Sequence, residues 1–298
     1  MNETLRLKLN EYGSLKEPFF FLISYDLSSF HVQKLSELDS DIKYEINEKV
    51  TSKNEAKHEV EKFPNTFKEY EKKFDILQEE ILCGNTYLLN LTAKTKIKTD
   101  YSLDKIYERA NSKFKLKFKD KFVSFSPERF IQIKKNKIFT YPMKGTIDAS
   151  LPNAQARILG DTKEMAEHTM VVDLLRNDLG IVSSKVRVDK FRYIDKINAG
   201  NKKLLQVSSK IHGNLEDDWQ SKIGDILTAL LPAGSITGTP KKKTVEIIKR
   251  VEDYEREYYT GVFGVFDGES LDSSVLIRFI ENSKNGIFGT KERLIHGK

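Results

Sequence analysis

The stretch from Thr162 to Gly180 narrows the fold and the chemistry of this chain more than any other. It predicts one helix that begins at Thr162 and ends at Gly180. At about 100° per residue, two carboxylates and an imidazole share one helix face with an apolar stripe. These residues are Glu164, Glu167 and His168, beside Val171 and Leu175. Because a buried charge is costly unless it is paired or ligates a metal, acids on the apolar face indicate a functional site. Capping acids on a surface helix are the alternative.

Composition places the chain among globular proteins. It has 298 residues, of which 39% are hydrophobic and 32% are charged, enough for one large core or two modest ones. The apolar run Phe19–Ile23 is too short to span a bilayer, and the polar residues before it do not fit a signal peptide. We therefore expect a cytoplasmic protein.

The charge pattern argues against nucleic-acid binding. The net charge is +6, but lysines alternate with acids, as in Glu69–Lys73, and only Lys241–Lys243 form a compact basic cluster. The single cysteine, Cys83, excludes an intramolecular disulfide and a multi-cysteine metal site. It follows an amphipathic helix and is expected to be a small buried residue.

Short β-rich runs and helical periodicity alternate along the chain, which predicts one α+β domain with antiparallel sheets inside and helices outside. Predicted helices, besides 162–180, lie between Asn65 and Gly84, from about Asp218 to Leu231, and at Lys241–Val251. Predicted strands are Phe19–Leu27, Asn85–Thr92, Phe114–Phe118, Phe122–Phe125, Phe130–Ile133, Ile138–Tyr141, Lys185–Tyr193 and Leu204–Ile211, with a final hairpin over Tyr259–Glu281. Residues 34–55 are polar with weak periodicity.

The loop Pro232–Lys241 is the second indication of chemistry. Its glycines free the backbone, and Pro240 suits the first turn of the following helix. Exposed amides and the helix dipole then favour a bound carboxylate or phosphate. The spacing does not fit a nucleotide-binding P-loop, because only three residues separate Gly234 from Gly238. An ordinary glycine-rich helix cap is the alternative.

Seven ordered motifs between Asn85 and Glu281 resemble the chorismate-utilising enzymes, and among them component I of aminodeoxychorismate synthase (para-aminobenzoate synthase); residues 1–84 are less characteristic. The motifs are 85–92, 126–130, 142–146, 166–168 with 173–180, 234–241, 259–261 with Gly264, and 277–278. The resemblance implies two large antiparallel sheets flanked by helices, and chorismate as the substrate.

The resemblance also implies a Mg²⁺ cofactor that holds the ring carboxylate of chorismate. Glu167 would be a ligand, with Glu164 nearby and assigned both to the metal and to catalysis. Hard carboxylate oxygens suit this ion.

The second carboxylate, on the enolpyruvyl group, would be met by Arg278 and Tyr259, according to the same resemblance. Arginine is suited to this task because it forms two parallel charge-assisted hydrogen bonds. An arginine in an apolar strand that pairs with an acid is the alternative. The remaining substrate-binding residues implied by the resemblance are Gly234, Ser235, Thr237 and Thr146.

Lys144 distinguishes members of the family. Aminodeoxychorismate synthases carry a lysine here that is thought to attack the ring at C2 and expel the C4 hydroxyl before ammonia adds at C4, whereas anthranilate synthases usually have alanine. The amine must be neutral to attack, and desolvation would favour that form. Without the motif, Lys144 would be interpreted as an exposed turn lysine. Gln206 stands where many relatives have a catalytic histidine; it can orient a hydroxyl but cannot titrate.

The C-terminal part departs from the family pattern. A glycine-rich strand and a last helix with a second metal-binding glutamate are not recognisable after Arg278, and Glu292 is not in a matching context. We therefore expect an open sheet edge beside 274–281 and weakened magnesium binding.

The sequence thus predicts an aminodeoxychorismate synthase component I. It would convert chorismate and ammonia, supplied by a glutamine amidotransferase subunit, into 4-amino-4-deoxychorismate for folate synthesis. Cys83 has no recognisable nucleophile motif around it, so the glutaminase would be a separate chain. Alternatives are an anthranilate or isochorismate synthase, a non-catalytic module that recruits the glutaminase, and, least favoured, a nucleic-acid binder.

Overall fold

The structure, a computed structural model, describes residues 2–47, 60–199, 202–283 and 286–296. Helices α1–α7 are, in chain order, Glu3–Ser14, Phe67–Leu82, Leu103–Arg109, Ala154–Gly160, Thr162–Val182, Ile223–Leu230 and Lys241–Val251. Strands β1–β9 are Phe19–Ile23, Phe30–Lys34, Ile42–Ile46, Glu61–Phe63, Leu88–Lys98, Phe114–Phe118, Phe122–Ser126, Arg129–Lys134 and Lys137–Thr140. Strands β10–β17 are Met143–Asp148, Ser184–Ala199, Lys202–Asn214, Gly238–Thr239, Val262–Phe266, Leu271–Val275, Phe279–Ser283 and Gly286–His296.

These strands form two large sheets, and every pairing within the described residues is antiparallel. The first sheet has the order β10-β12-β9-β8-β15-β14-β1-β2, with β11 also on β12. The second has the order β13-β5-β17-β16-β7-β6-β3, with β4 on β5. The predicted α+β class and the two-sheet arrangement are confirmed.

Strand β1 shows how the first sheet separates two cores. Its side chains alternate between faces, as a pleated strand requires. Phe19 and Phe21 pack in the cluster that contains Leu5 of α1 and Leu227 of α6. Phe20 and Leu22 pack instead against residues of the second sheet. Helices therefore cover one face of this sheet, and the second sheet covers the other.

Helix α5 lies on the helix-covered face of the first sheet. His168, Val171 and Leu179 are buried, whereas Asp173 and Arg176 are exposed, as the helical spacing predicts. The N-cap is Asp161, one residue before the predicted start, and its side chain accepts a hydrogen bond from the amide of Glu164. The helix continues two residues past Gly180, to Val182.

The predicted open edge beside 274–281 is wrong. Strand β16 pairs with β7 on one side and with β17 on the other. Strand β17, which contains Glu292, also pairs with β5. The β16–β17 hairpin therefore uses its backbone donors and acceptors on both sides, towards β7 and towards β5, inside the second sheet.

Two further sequence predictions need correction. Cys83 is exposed at the end of α2, not buried. The polar stretch 34–55 contains β3 and completes β2 at Lys34, while its residues 48–55 lie outside the described residues. Within the described ranges, no helix combines the length and apolar character needed to cross a membrane.

Candidate active site

The first turns of α5 bring acidic side chains against the sheet. Glu164 and Glu167 are half-buried beside the fully buried His168. Burial raises the pKa of Glu164, and the nearby charges of Glu167 and Asp161 raise it further. The carboxyl group of Glu164 therefore holds a proton more readily than an exposed glutamate.

A bulge in β10 carries the sequence-predicted lysine to this helix. Met143 pairs with Ser208 and Thr146 with Gln206, so Lys144 and Gly145 together face the single residue Val207. Gly145 has a φ of +82°, and a Cβ atom there would lie 3.0 Å from Oε2 of Glu164. Only glycine combines this conformation with such close approach to the carboxylate.

The positive charge of Lys144 acts on three titratable groups of the site, Glu128, Glu164 and His168. It is one of the charges that lower the pKa of each. These four residues, which we call the lysine cluster, come from β10, α5 and the loop between β7 and β8. The sequence motifs contain Glu128, Lys144 and His168, whereas Glu164 lies just before the motif at 166–168; Glu128 was not singled out as a site residue.

His168 is neutral at physiological pH. Burial, together with the charges of Arg192 and Lys144, lowers its pKa to about 4. Its Nε2 lies 2.7 Å from Oγ of Ser209 on β12. The histidine thus links α5 to the sheet without adding positive charge beside Lys144.

The predicted anion loop folds as a 3₁₀ turn over Gly234–Ile236. A Cβ atom on Gly234 would lie 2.7 Å from Oδ2 of Asp178, so this glycine is needed for packing on α5. Asp178 forms an ion pair of 2.8 Å with Lys241. The amides of Ile236 and Thr237 are bonded within the turn, which restricts the predicted cradle to Gly234 and Ser235. The Ser235 side chain interacts with Glu128.

A buried ion pair, which sequence reasoning missed, holds this loop. Arg256 Nε and Nη2 donate hydrogen bonds of 2.7 Å to the two carboxylate oxygens of Glu252. Arg256 also donates to the carbonyls of Ile236 and Asn90, at 3.2 and 2.7 Å, and Glu252 accepts from Thr92. We call Arg256, Glu252 and Thr92 the arginine cluster. Glu252 and Arg256 stand at i, i+4 spacing, which can indicate an ion pair, but the polar residues around them resembled a surface turn.

Tyr259 and Arg278 lie on two segments that are joined by backbone hydrogen bonds. The amide of Thr260 donates to the carbonyl of Leu276 at 2.8 Å, and the amide of Leu276 donates to Gly261. Tyr259 is buried, whereas Arg278 is exposed in the connection between β15 and β16 with a φ of +53°. The alternative of a strand-borne arginine paired with an acid is therefore wrong, since within the described chain no ion pair of Arg278 is found.

Gln206 and Thr146 do not share the face occupied by Lys144. They pair with each other across β10 and β12. Ser209 contacts His168 on the helix-covered face, and strand alternation puts Gln206 on the opposite face of β12. The structure thus groups Lys144 with Glu164 but not with Gln206, whose predicted catalytic role stays a prediction.

The acidic turn of α5 has suitable donors for a hard divalent cation. Glu164 and Glu167 lie close enough for the charge of one to raise the pKa of the other. A cation relieves such repulsion, and Mg²⁺ needs only one or two protein carboxylates because it keeps several waters. Within the described ranges, no group of three or more potential ligand residues is present. Glu167, with Glu164 nearby, has donor oxygens of the kind that Mg²⁺ prefers, and its assignment as a metal ligand stays a prediction.

Comparisons with known proteins show the family of the chain. A family model described as "chorismate binding enzyme" matches residues 12–290. An uncharacterised PabA-like protein of Pasteurella multocida is 48% identical over 278 residues, 91% of this chain and 86% of the relative.

More distant relatives carry different activities in their names. Aminodeoxychorismate synthase component 1 of Salmonella typhimurium is 30% identical over 236 residues, 74% of this chain but 50% of the relative. Anthranilate synthase component 1 of Spirochaeta aurantia is 31% identical over 242 residues, 75% of this chain and 49% of the relative.

A solved structure supports the fold. The menaquinone-specific isochorismate synthase MenF of Escherichia coli superposes with a TM-score of 0.70 at 16% identity, covering 96% of this chain and 74% of MenF. The family match extends over most of the chain and includes every motif from which the resemblance was inferred. The chain therefore belongs to the family of chorismate-binding enzymes.

Proposed function

We propose that this chain is component I of an aminodeoxychorismate synthase, which converts chorismate and ammonia into 4-amino-4-deoxychorismate and water. The observation that carries the proposal is the position of Lys144, presented by the β10 bulge beside Glu164 on α5. A lysine near a carboxyl group of raised pKa supplies a nucleophile and an acid in one place. The Salmonella relative of that name supports the assignment over its matched half.

In the proposed first step, the neutral amine of Lys144 forms a bond to C2 of the ring. The ring double bonds shift, and the C4–O bond breaks. Glu164 gives its proton to the departing hydroxyl, which leaves as water, while the alkylated nitrogen releases a proton. The raised pKa of Glu164, caused first by burial, keeps that carboxyl group protonated more readily and suits it as the acid.

In the second step, ammonia forms a bond to C4, the double bonds shift back, and the C2–N bond to Lys144 breaks. The ammonium formed at C4 passes one proton to the departing lysine nitrogen, and the proton released in the first step returns to Glu164. Glu167 would hold Mg²⁺ with Glu164 nearby, and the ion would neutralise the ring carboxylate when bound. Arg278 and Tyr259 would meet the enolpyruvyl carboxylate, with Ser235 and Gly234 completing that end of the site.

Ammonia would come from a separate glutamine amidotransferase subunit, and we propose a cytoplasmic location for the pair. In the described residues Cys83 lies exposed at a helix end, at Leu82-Cys83-Gly84, which does not form a nucleophile elbow. Glutamine alone is therefore expected not to replace ammonium.

The test is to incubate the chain with chorismate, Mg²⁺ and ammonium and to identify the product by mass spectrometry, with Lys144→Ala as the control. Formation of 4-amino-4-deoxychorismate that is lost in the variant supports the proposal. Anthranilate with pyruvate, or isochorismate, would assign the chain to another activity of the family. No turnover together with retained binding of the glutaminase would instead favour a non-catalytic module.

A further inference from the structure

The proposed mechanism does not use Lys241, the first residue of α7. The Nζ atom of Lys241 lies 2.8 Å from Oδ1 of Asp178 on α5 and donates a hydrogen bond of 3.0 Å to the carbonyl of Leu230, the last residue of α6. Residues 231–240 connect α6 to α7 and contain the turn over Gly234–Ile236. One ammonium group therefore joins both ends of this connection to α5.

The ion pair between Asp178 and Lys241 is shielded from water. The Asp178 side chain is 10% exposed and the Lys241 side chain is 20% exposed. Burial raises the pKa of Asp178, and the charge of Lys241 opposes this effect. Exposed ion pairs compete with water and fix little, whereas a shielded pair is costly to separate. This pair therefore fixes the position of the 231–240 connection on α5.

Asp178 also lies against the turn over Gly234–Ile236. Its Oδ2 atom approaches Gly234 so closely that a Cβ atom there would lie 2.7 Å from it. Asp178 and Ser235 line the same small cavity. Because the amide of Ile236 is bonded within the turn, Gly234 and Ser235 are the part of it that we propose to meet a substrate anion. Asp178 thus contacts that part of the turn.

Helix α5 carries Asp178 and Glu167 on the same face. Asp178 follows Glu167 by about three helical turns, so the two side chains leave the helix in nearly the same direction. The hydrogen-bonded backbone of the helix keeps the distance between these two positions constant. Attachment of the turn to Asp178 therefore also sets its distance from Glu167, the proposed magnesium ligand.

We propose that Asp178 and Lys241 are positioning residues, whose ion pair sets the spacing between the groups that meet the two carboxylates of chorismate. The pair holds the turn over Gly234–Ile236 at a fixed distance from Glu167. The assignment rests on the proposed function, because it assumes that this turn helps to receive the enolpyruvyl carboxylate. A ligand with two carboxylates gains from both contacts only when their spacing matches its own, whereas a monocarboxylate does not depend on that spacing.

Loss of the ion pair should weaken substrate binding more than it slows the chemistry. In Lys241→Met the KM for chorismate should rise at least about tenfold while kcat changes by less than about threefold, because the turn binds substrate and makes no bond to it. Lys241→Arg keeps the charge and should retain most of the affinity. Asp178→Asn should act like Lys241→Met, and the double variant should bind chorismate no more weakly than the weaker single variant.

The decisive measurement compares two probes that differ in their number of carboxylates. Chorismate has two, whereas benzoate has only a ring carboxylate. Binding of each is measured by titration calorimetry with Mg²⁺ in a Lys144→Ala background, in which no covalent adduct can form. Lys241→Met should lower the affinity for chorismate at least about tenfold and change that for benzoate by less than about threefold. General damage to the fold would weaken both.

Lys94→Met is the matched control, because Lys94 forms a similarly shielded ion pair with Glu281, at 2.6 Å in the second sheet outside the site. It should lower the free energy of unfolding in urea about as much as Lys241→Met does, but leave the affinity for chorismate unchanged. Lys241→Met should still fold, because Asp178 takes up a proton more readily once the lysine charge is gone.

The outcomes are distinct. Weaker binding of chorismate alone in Lys241→Met, with the affinity largely retained in Lys241→Arg and Lys94→Met, supports the assignment. An unchanged affinity for chorismate, or an equal loss for benzoate, overturns it while leaving the proposed function intact. A parent that makes anthranilate or isochorismate overturns the proposed function, and the affinities still decide the role of the ion pair. A Lys144→Ala protein that binds no chorismate overturns both.

Discussion

The lysine cluster and the arginine cluster both bring charged side chains into buried or half-buried positions, but the two clusters differ in how those charges are paired. In the arginine cluster, Glu252 receives two hydrogen bonds from Arg256 and two from Thr92. Burial alone would lower the pKa of Arg256, but the bonds to Glu252 raise it above its ordinary value. This guanidinium therefore stays charged.

In the lysine cluster, burial is the leading influence and the partners are few. It raises the pKa of Glu128 and of Glu164 and lowers that of His168. A paired buried ion holds neighbouring segments in place, whereas a buried group with few partners is available to a proton, a metal or a substrate. The difference separates a region that holds segments in place from the region that we propose as the reacting site.

The largest expected effect is on turnover, and it comes from removing the lysine of the lysine cluster. Lys144→Ala should abolish formation of 4-amino-4-deoxychorismate while unfolding in urea stays close to that of the parent, because Lys144 is half-buried on a bulge and not in a core. Product mass spectrometry and denaturation curves test the two halves of this prediction. Unchanged turnover would remove Lys144 from the mechanism.

The next effect is on stability. Arg256→Met leaves Glu252 buried without its cation, which should lower the free energy of unfolding by about 3–5 kcal/mol. Urea denaturation measures this, with Arg250→Met as the control, since Arg250 pairs with Glu80 at the surface. Equal losses in the two variants would contradict the structural role of the arginine cluster.

A further effect is expected in the pH dependence of the free energy of unfolding, through His168 of the lysine cluster. The folded pKa of His168 lies near 4, below the ordinary value of 6.5, so the unfolded chain binds this proton more readily. The contribution of His168 is fully present above pH 6.5 and is lost as the pH falls towards 4, by up to about 3 kcal/mol. His168→Gln should flatten that part of the profile, which urea denaturation at a series of pH values between 4 and 7 measures; an unchanged slope in the variant would contradict the prediction.

The smallest expected effect concerns the metal. Mg²⁺ at about ten times its dissociation constant should stabilise the substrate-free chain by about 1 kcal/mol, which is roughly 2–4 °C in the melting temperature. Glu167→Gln should remove most of this shift. A shift that persists in the variant would place the cation elsewhere.

Much of the secondary structure could be predicted from local apolar periodicity and turn residues. The strands that were not predicted share one physical property. Helix α7 and strands β6–β9 are close to their predicted bounds because each combines a clear period with turn residues. Strands β2 and β3 were missed because each lies at the edge of a sheet and buries a single residue, Val32 or Ile42. An edge strand needs no regular apolar alternation, so the sequence carries no signal of one.

The candidate site shows the same division. The inward face of α5 was predictable because Glu164, Glu167 and His168 repeat at helical spacing within one element. Glu128 was not, because the groups that act on its carboxyl group, Ser235 and Lys144, lie on other elements. The pairing of Arg256 with Glu252 is local, but its bonds to Ile236 and Asn90 reach other elements and were not predictable. Such contacts are created by the topology of the two sheets, which no local pattern encodes.

The strand pairing of β5 has a consequence for the order of folding. Beyond the short strand β4, its neighbours are β13 and β17, both far later in the chain, and β1 likewise pairs with β14. Contacts between residues so distant in sequence close large loops, and proteins rich in them fold slowly. The turn over Gly234–Ile236 leads directly into β13, so it reaches its final position only when β5 is paired. On a ribosome, the helices and the β6–β9 hairpins can form early, whereas the candidate active site is assembled among the last parts of the molecule.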